Sequence, residues 1–269
     1  MQPLFNPFNP ISDSHQQPRS YDLEGDFPLD GTDLVTDETL VTLLSSAPVM
    51  HKFGSTKLVR LSRHLVLKGG GSVLPCEAET LKFVATKTGI RVPRVHRSFQ
   101  VEDQTQYFGT KGYIVMDFIA GQSLDKCWTD LPDDNQRQIA IQVADMIKEM
   151  QSIEISQPAP FGGGKFRGRF FTDYSAGPLR TVLNSKAGLT TSLRSDISPR
   201  NLVLDRNGEW LIDWSNAGAY PPAFESAALM AQQFFPSFNE AVLAVIPRFP
   251  EEELQLDSIT YGLITAALA

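Results

Sequence analysis

Between Arg194 and Ala217 the chain reads RSDISPRNLVLDRNGEWLIDWSNA, and few backbone arrangements accommodate that order of residues. Leu202, Val203 and Leu204 favour a strand, as do Trp210, Leu211 and Ile212, because branched and aromatic side chains pack well on a pleated surface. Asp205-Arg206-Asn207-Gly208 between them supplies turn chemistry, since Asn and Gly reach positive φ at little cost. A hairpin centred near Asn207 is expected to set Asn201 opposite Asp213 at its open end. Asp196 lies five residues before Asn201, on the incoming loop. Oxygen-bearing side chains gathered in this way suit a hard cation such as Mg2+, whose remaining positions are filled by water and phosphate. A plainer role competes: most loop Asp and Asn residues cap turns and do no more.

The upstream chain adds a second polar pair. KLVRLSRHLVLK, from Lys57 to Lys68, predicts two alternating strands around a turn near Ser62-Arg63, with Lys68 ending the second. Three glycines follow, and Pro75 opens a helix over CEAETLKFVATKTG, with Leu81, Val84 and Ala85 on one face and Gly89 as its stop. A strand Lys followed by a Glu near the start of a helix is, taken alone, most often a pair of solvated surface charges, but in kinases it is the arrangement that holds nucleotide phosphates. The ammonium bridges phosphate oxygens and the carboxylate fixes the long Lys stem. Glu77 is the first choice for that partner and Glu79 the second. GYIVMDF, from Gly112 to Phe118, predicts a buried strand running into Ile119-Ala120-Gly121. In a two-lobed kinase such a strand would run into a hinge, Met116 to Ile119, with Asp117 and Ile119 meeting a nucleotide base through main chain rather than side chains; an ordinary core strand accounts for the run equally well.

Other segments read as scaffold. Asp133 and Gln136 have capping-box spacing at the head of a helix that repeats Ile139, Val143, Met146, Ile147 and Met150. FGGGKFRGR, residues 161–169, looks like a phosphate loop but misses the pattern, because Ala159 stands where the first Gly belongs and Phe166 follows Lys165. Phe53-Gly54-Ser55-Thr56 is the one candidate cover for phosphates ahead of Lys68. Helices are expected from Ala223 to Phe235, from Phe238 to Ile246, and from Glu251 onward. A net charge of −7 over 269 residues argues against a nucleic-acid surface. No apolar run reaches the roughly 18 residues of a membrane helix. The start MQPLFNPFNP lacks the features of a secretory leader. Cys76 and Cys127 fit no metal spacing, so a soluble, reduced, cytoplasmic protein is expected. Residues 1–48 form an acidic extension, either a flexible tail or an embellishment folded over the body.

Taken together, LVRLSRHLVLK, CEAETLKFV with RVPRV behind it, YIVMDFIAGQSL and SDISPRNLVLD with WLIDWSNAGAYPPAFE resemble the aminoglycoside phosphotransferase and choline-kinase-like family, and most of all its fungal members. The resemblance implies an α+β, two-lobed protein-kinase-like fold. Its N-lobe, residues 49–117, would be a small antiparallel sheet with one helix, and its C-lobe, residues 118–269, larger and mainly helical. It implies ATP and Mg2+ as cofactors and a small-molecule hydroxyl as acceptor. It makes Asp196 the catalytic base, Asn201 and Asp213 the metal ligands, and Lys68 with Glu77 the phosphate anchor. Two features depart from the family. Arg194-Ser195 replaces the His-Gly that precedes the catalytic Asp, and little hydrophobic strand builds up before the motif. They keep a second reading open, a catalytically impaired nucleotide-binding or scaffold protein.

Overall fold

The structure, a computed structural model, describes residues 27–29, 35–155, 191–194, 197–205 and 208–265. By contacts the chain divides into two compact units, Met1–Ala78 with Arg94–Ala120, and Glu79–Pro93 with Gly121–Ala269.

The first unit is built on a five-stranded antiparallel sheet in the order β1-β2-β3-β5-β4. Its strands are β1 (Val49–Phe53), β2 (Thr56–Arg60), β3 (Leu65–Gly70), β4 (Val95–Glu102) and β5 (Thr110–Asp117). Helix α1 (Asp37–Ser46) precedes the sheet, and α2 (Pro75–Lys87) begins in this unit. Thr36 caps α1 by accepting the Thr39 N–H at 3.3 Å. Leu40 of α1 is buried with Val59, Leu61, Leu67, Tyr113 and Val115 in one cluster. Side chains alternate across a strand, so seating Leu67 in this cluster turns Lys68 to the opposite face.

Strand β3 runs two residues past Lys68, to Gly70. The expectation that Lys68 ends it was wrong, because Gly69 and Gly70 pair with Lys57 and Thr56. Gly70 permits this with φ +144° and no side chain, where a Cβ would stand 1.8 Å from the Ser55 carbonyl oxygen. Phe53-Gly54-Ser55-Thr56 is the tight turn joining β1 to β2, with Phe53 paired to Thr56.

Among its described residues the second unit carries two small antiparallel sheets, β10-β9-β6 and β11-β8-β7. Their strands are β6 (Gln122–Ser123), β7 (Glu154–Ile155), β8 (Thr191–Arg194), β9 (Leu202–Asp205), β10 (Gly208–Leu211) and β11 (Gly218–Tyr220). Among the described residues its α-helices are α3 (Leu124–Cys127), α4 (Asp133–Gln151), α5 (Ala223–Ala231), α6 (Pro236–Leu243) and α7 (Pro250–Thr265). Helix α4 buries Ile139, Val143, Ile147 and Met150 as its period requires. The capping box does not form. Pro132 is the N-cap, and Gln136 donates instead to the carbonyls of Trp128 and Leu131, at 2.8 and 3.2 Å. Strand β8, which ends two residues before Asp196 in the sequence, is a short β element that the sequence does not announce.

Helix α7 docks on α5 with Leu256 against Tyr220, Phe224, Ala227 and Ala228. Glu253, 3% exposed, anchors its first turn. It accepts from Arg248 Nη2 at 2.7 Å and from the Phe249 N–H at 3.0 Å. The Arg248 hydrogen bonds, reinforced by those of Phe249 and Ser226, outweigh desolvation and lower its pKa from 4.5 to about 2. A depressed carboxylate stabilises the fold above its ordinary pKa and loses that contribution as pH falls through the folded value. Arg248 is itself partly exposed, so the contribution is put at roughly 2 kcal/mol. Glu253→Gln should therefore destabilise the protein by about that much at pH 6, and by progressively less below pH about 4. Denaturant midpoints measured across that range check it, and a pH-independent difference overturns it.

Candidate functional site

Lys68 lies within β3 and Glu77 in the first turn of α2, and their side chains meet at 2.6 Å. The lysine side chain is 12% exposed and the glutamate 1%. The loop between them, Gly71 to Leu74, returns the chain from strand end to helix start; Val73 N–H bonds the Gly70 carbonyl and Glu77 N–H the Leu74 carbonyl. Glu79 faces elsewhere and pairs on the surface with Lys82 at 2.9 Å. The chain thus selects Glu77, the first of the two glutamates read from the sequence. A buried carboxylate in contact with the ammonium fixes where the end of the long Lys68 stem lies.

Strand β5 delivers Asp117 and Ile119 differently from each other. The Asp117 N–H donates to the Arg94 carbonyl at 3.1 Å, and its carboxylate binds His96 Nε2 at 2.7 Å and the Arg94 N–H at 3.1 Å. The Phe118 N–H donates to the His64 carbonyl at 2.7 Å. Ile119 is half-buried, and its N–H and C=O make no hydrogen bond among the described residues. Of the two main-chain positions expected to meet a base, Ile119 is the one with donor and acceptor open.

In the second unit the hairpin forms, with a register one step from the expected one. Gly208 pairs with Asp205 and Leu211 with Leu202, so the pairing is not centred on Asn207. Gly208 takes φ +120° as the return strand begins. Continued outward, this register sets Asn201 opposite Ile212, whose N–H donates to the Asn201 carbonyl at 2.9 Å. Asp213 is therefore the neighbour of the paired residue, not the paired residue itself. Its Oδ1 accepts the Ser215 N–H at 3.0 Å, which fixes the carboxylate. Asn201 is buried, and its N–H bonds the Ser198 carbonyl at 2.8 Å. Asp196, Ser195 and the glycine-rich 161–169 lie outside the described residues. No cluster of three or more His, Cys, Asp or Glu suited to a metal occurs among the described residues. The amide oxygen of Asn201 and the carboxylate of Asp213 are hard donors held at one end of one hairpin. As a donor set they fit a cation that fills its shell with phosphate and water.

Two supports escaped the sequence reading. Glu225 of α5 is buried, and its Oε1 accepts the Ile197 N–H at 3.4 Å, next to the position of Asp196. Its signal was available: it is the one charge in the apolar helix AFESAALMA. Arg91 makes a bidentate pair with Asp205 at 2.9 and 2.7 Å, and Trp210 Nε1 donates to the same carboxylate at 2.7 Å. The Arg91 carbonyl accepts the Leu211 N–H, which ties this segment to the edge of β10.

Among solved structures, the chain is similar to the GDP complex of aminoglycoside 2'-phosphotransferase-IIIa, with 12% identity over 84% of this chain and 88% of that one, and a TM-score of 0.56. It is likewise similar to ADP-bound aminoglycoside phosphotransferase APH(2'')-Ib, with 18% identity, coverage of 84% and 91%, and a TM-score of 0.55. The fold is kinase-like. The streptomycin–ATP ternary complex of APH(2")-IIa matches at 15% identity, covering 86% of this chain and 90% of that chain, with a TM-score of 0.55. No family model matches the sequence, and no curated protein does. No described helix is long and apolar enough to cross a membrane.

Proposed function

We propose that this chain is an ATP- and Mg2+-dependent phosphotransferase acting on a hydroxyl of a small molecule, within the aminoglycoside phosphotransferase and choline-kinase-like family. The observation that carries the reading is the 2.6 Å contact between Lys68 and the buried Glu77, in a chain whose fold is shared with nucleotide-bound phosphotransferases. Lys68 would hold phosphate oxygens, with Glu77 keeping its stem in one rotamer. Ile119 would read the base edge through its main chain, beside Asp117. Asn201 and Asp213 would hold the ion. The carboxylate of Asp196 would accept the proton of the acceptor hydroxyl. The bound nucleotide and Mg2+ supply the transferable phosphoryl group and neutralise charge on it. The protein's own contribution is positioning, which is most of what phosphoryl transfer asks of it.

One sequence observation favours the second reading, an impaired nucleotide-binding protein: Arg194-Ser195 replaces the His-Gly that buttresses the loop in the family. A thermal-shift titration separates the two. At a hundredfold excess over Kd, Mg-ATP should stabilise the wild type by about 2.7 kcal/mol. Asp213→Asn should erase the dependence on Mg2+, and Asp196→Asn should keep binding while losing turnover on a panel of hydroxylated metabolites. Binding with no turnover by the wild type on that panel selects the impaired protein. The absence of any shift defeats both readings.

A further inference from the structure

Resting on the phosphotransferase reading, we propose that Arg60 is a positioning residue for nucleotide-base recognition: by clamping Phe118 it fixes the open main chain of Ile119. All of the groups involved belong to the first unit.

Arg60 closes β2 and is 7% exposed. Burying a guanidinium is costly, and an apolar side chain of similar volume would often serve stability as well or better. What an apolar residue lacks is the planar fork that donates several hydrogen bonds while stacking on a ring. Arg60 uses both features. Its Nε donates to the Ser62 carbonyl at 2.5 Å and its Nη2 to the Arg63 carbonyl at 2.8 Å. Its Cζ stands 3.1 Å from the centroid of the Phe118 ring, with the Phe27 ring 5.2 Å away. The turn gripped by the fork holds Phe118 a second time, through the bond from the Phe118 N–H to the His64 carbonyl. Ser62 Oγ stiffens that turn by accepting the His64 and Leu65 N–H groups at 3.2 and 3.1 Å.

Phe118 is therefore fixed at its ring and at its amide, and the next residue is Ile119. A purine edge that pairs with Ile119 needs the N–H and C=O at a set place and angle, because hydrogen bonds weaken steeply with misalignment. Loosening Phe118 should move that pair while leaving the Lys68–Glu77 contact in place. The loss should then be specific to the base and absent for the phosphates.

The test compares binding of Mg-ATP and of Mg-tripolyphosphate by calorimetry in the wild type, Arg60→Gln, Arg60→Lys and Phe118→Leu. Each variant should weaken ATP by about tenfold and tripolyphosphate by less than about twofold. Arg60→Lys should fail to rescue, since an ammonium lacks the fork and the stacking plane. Arg60→Gln with Phe118→Leu should lose no more than either single change, because the two act as a unit. In the wild type alone, amide exchange at Ile119 should slow on adding adenosine, a reading independent of any variant's folding. Equal losses for both ligands, no loss for either, or an Ile119 amide indifferent to adenosine overturns the assignment of Arg60. A wild type that binds neither ATP nor tripolyphosphate instead overturns the phosphotransferase reading itself.

Discussion

Lys68→Met is expected to destabilise the protein by about 3 kcal/mol, more than Glu77→Gln does, although the two residues form one pair. The asymmetry follows from where the charges lie. Glu77 is 1% exposed and Lys68 12%. A lysine that loses its carboxylate can reposition a flexible stem and carry its ammonium toward water. A carboxylate fixed in the first turn of α2 has no such freedom, and removing Lys68 leaves its charge buried without the cation it was packed against. The double variant Lys68→Met with Glu77→Leu should recover much of the loss, since apolar residues can replace a buried ion pair at little cost. Denaturant unfolding of the four proteins checks the order. Equal single-variant losses, or a double variant worse than Lys68→Met, would contradict it. Mg-ATP binding should fail in every variant that lacks Lys68, including the restabilised double. That would separate the lysine's task toward phosphate from its share in stability.

This pair was legible in the sequence because its determinants are local. A strand, a short glycine-rich return and a helix opened by Pro75 span only ten residues from Lys68 to Glu77, both included. Glu79 is excluded by helical geometry, since residues two apart do not share a face. Strands β2 and β3 were legible as alternating runs around a turn and β5 as a buried apolar run, while β1 and most of β4 went unread. The hairpin that carries Asn201 was also visible, but its register was not. The observed pairing of Asp205 with Gly208 and a pairing centred on Asn207 draw on the same residues, yet they differ by one residue in what faces Asn201. Strands β6, β7, β8 and β11 have two to four residues each. They exist because of partners distant in sequence, and no local pattern of that length announces them. The capping box failed on similar grounds: Gln136 found the carbonyls of Trp128 and Leu131, which pattern reading does not see. The main-chain use of Asp117 likewise depends on Arg94, the residue just before β4, lying alongside it.

A contact remote in sequence underlies the other large effect. Arg91 and Asp205 are 114 residues apart, and their pair closes the outer edge of the hairpin that holds Asn201 and Asp213. Asp205→Ala should cost about 3 kcal/mol, because it removes a bidentate partner from Arg91 and the acceptor of Trp210 Nε1 in one step. Arg91→Ala should cost less, about 2 kcal/mol, since Asp205 keeps the indole donor. The Arg91 guanidinium also lies 4.3 Å from the centroid of the Trp210 ring, so both variants weaken one three-membered unit. Their effects should not add. A double-mutant cycle should return a coupling of at least about 1 kcal/mol, and strict additivity would show that the three groups are neighbours without being a network. The consequence for function runs along β9 and β10. If this unit sets the register, loosening it frees the bond from the Ile212 N–H to the Asn201 carbonyl at the hairpin's other end. The Mg2+ concentration needed to support ATP binding should then rise in Asp205→Ala at temperatures where the protein is still folded. An unchanged Mg2+ requirement in a measurably destabilised variant would mean that the hairpin's open end is held by the loop it borders and not by its far edge.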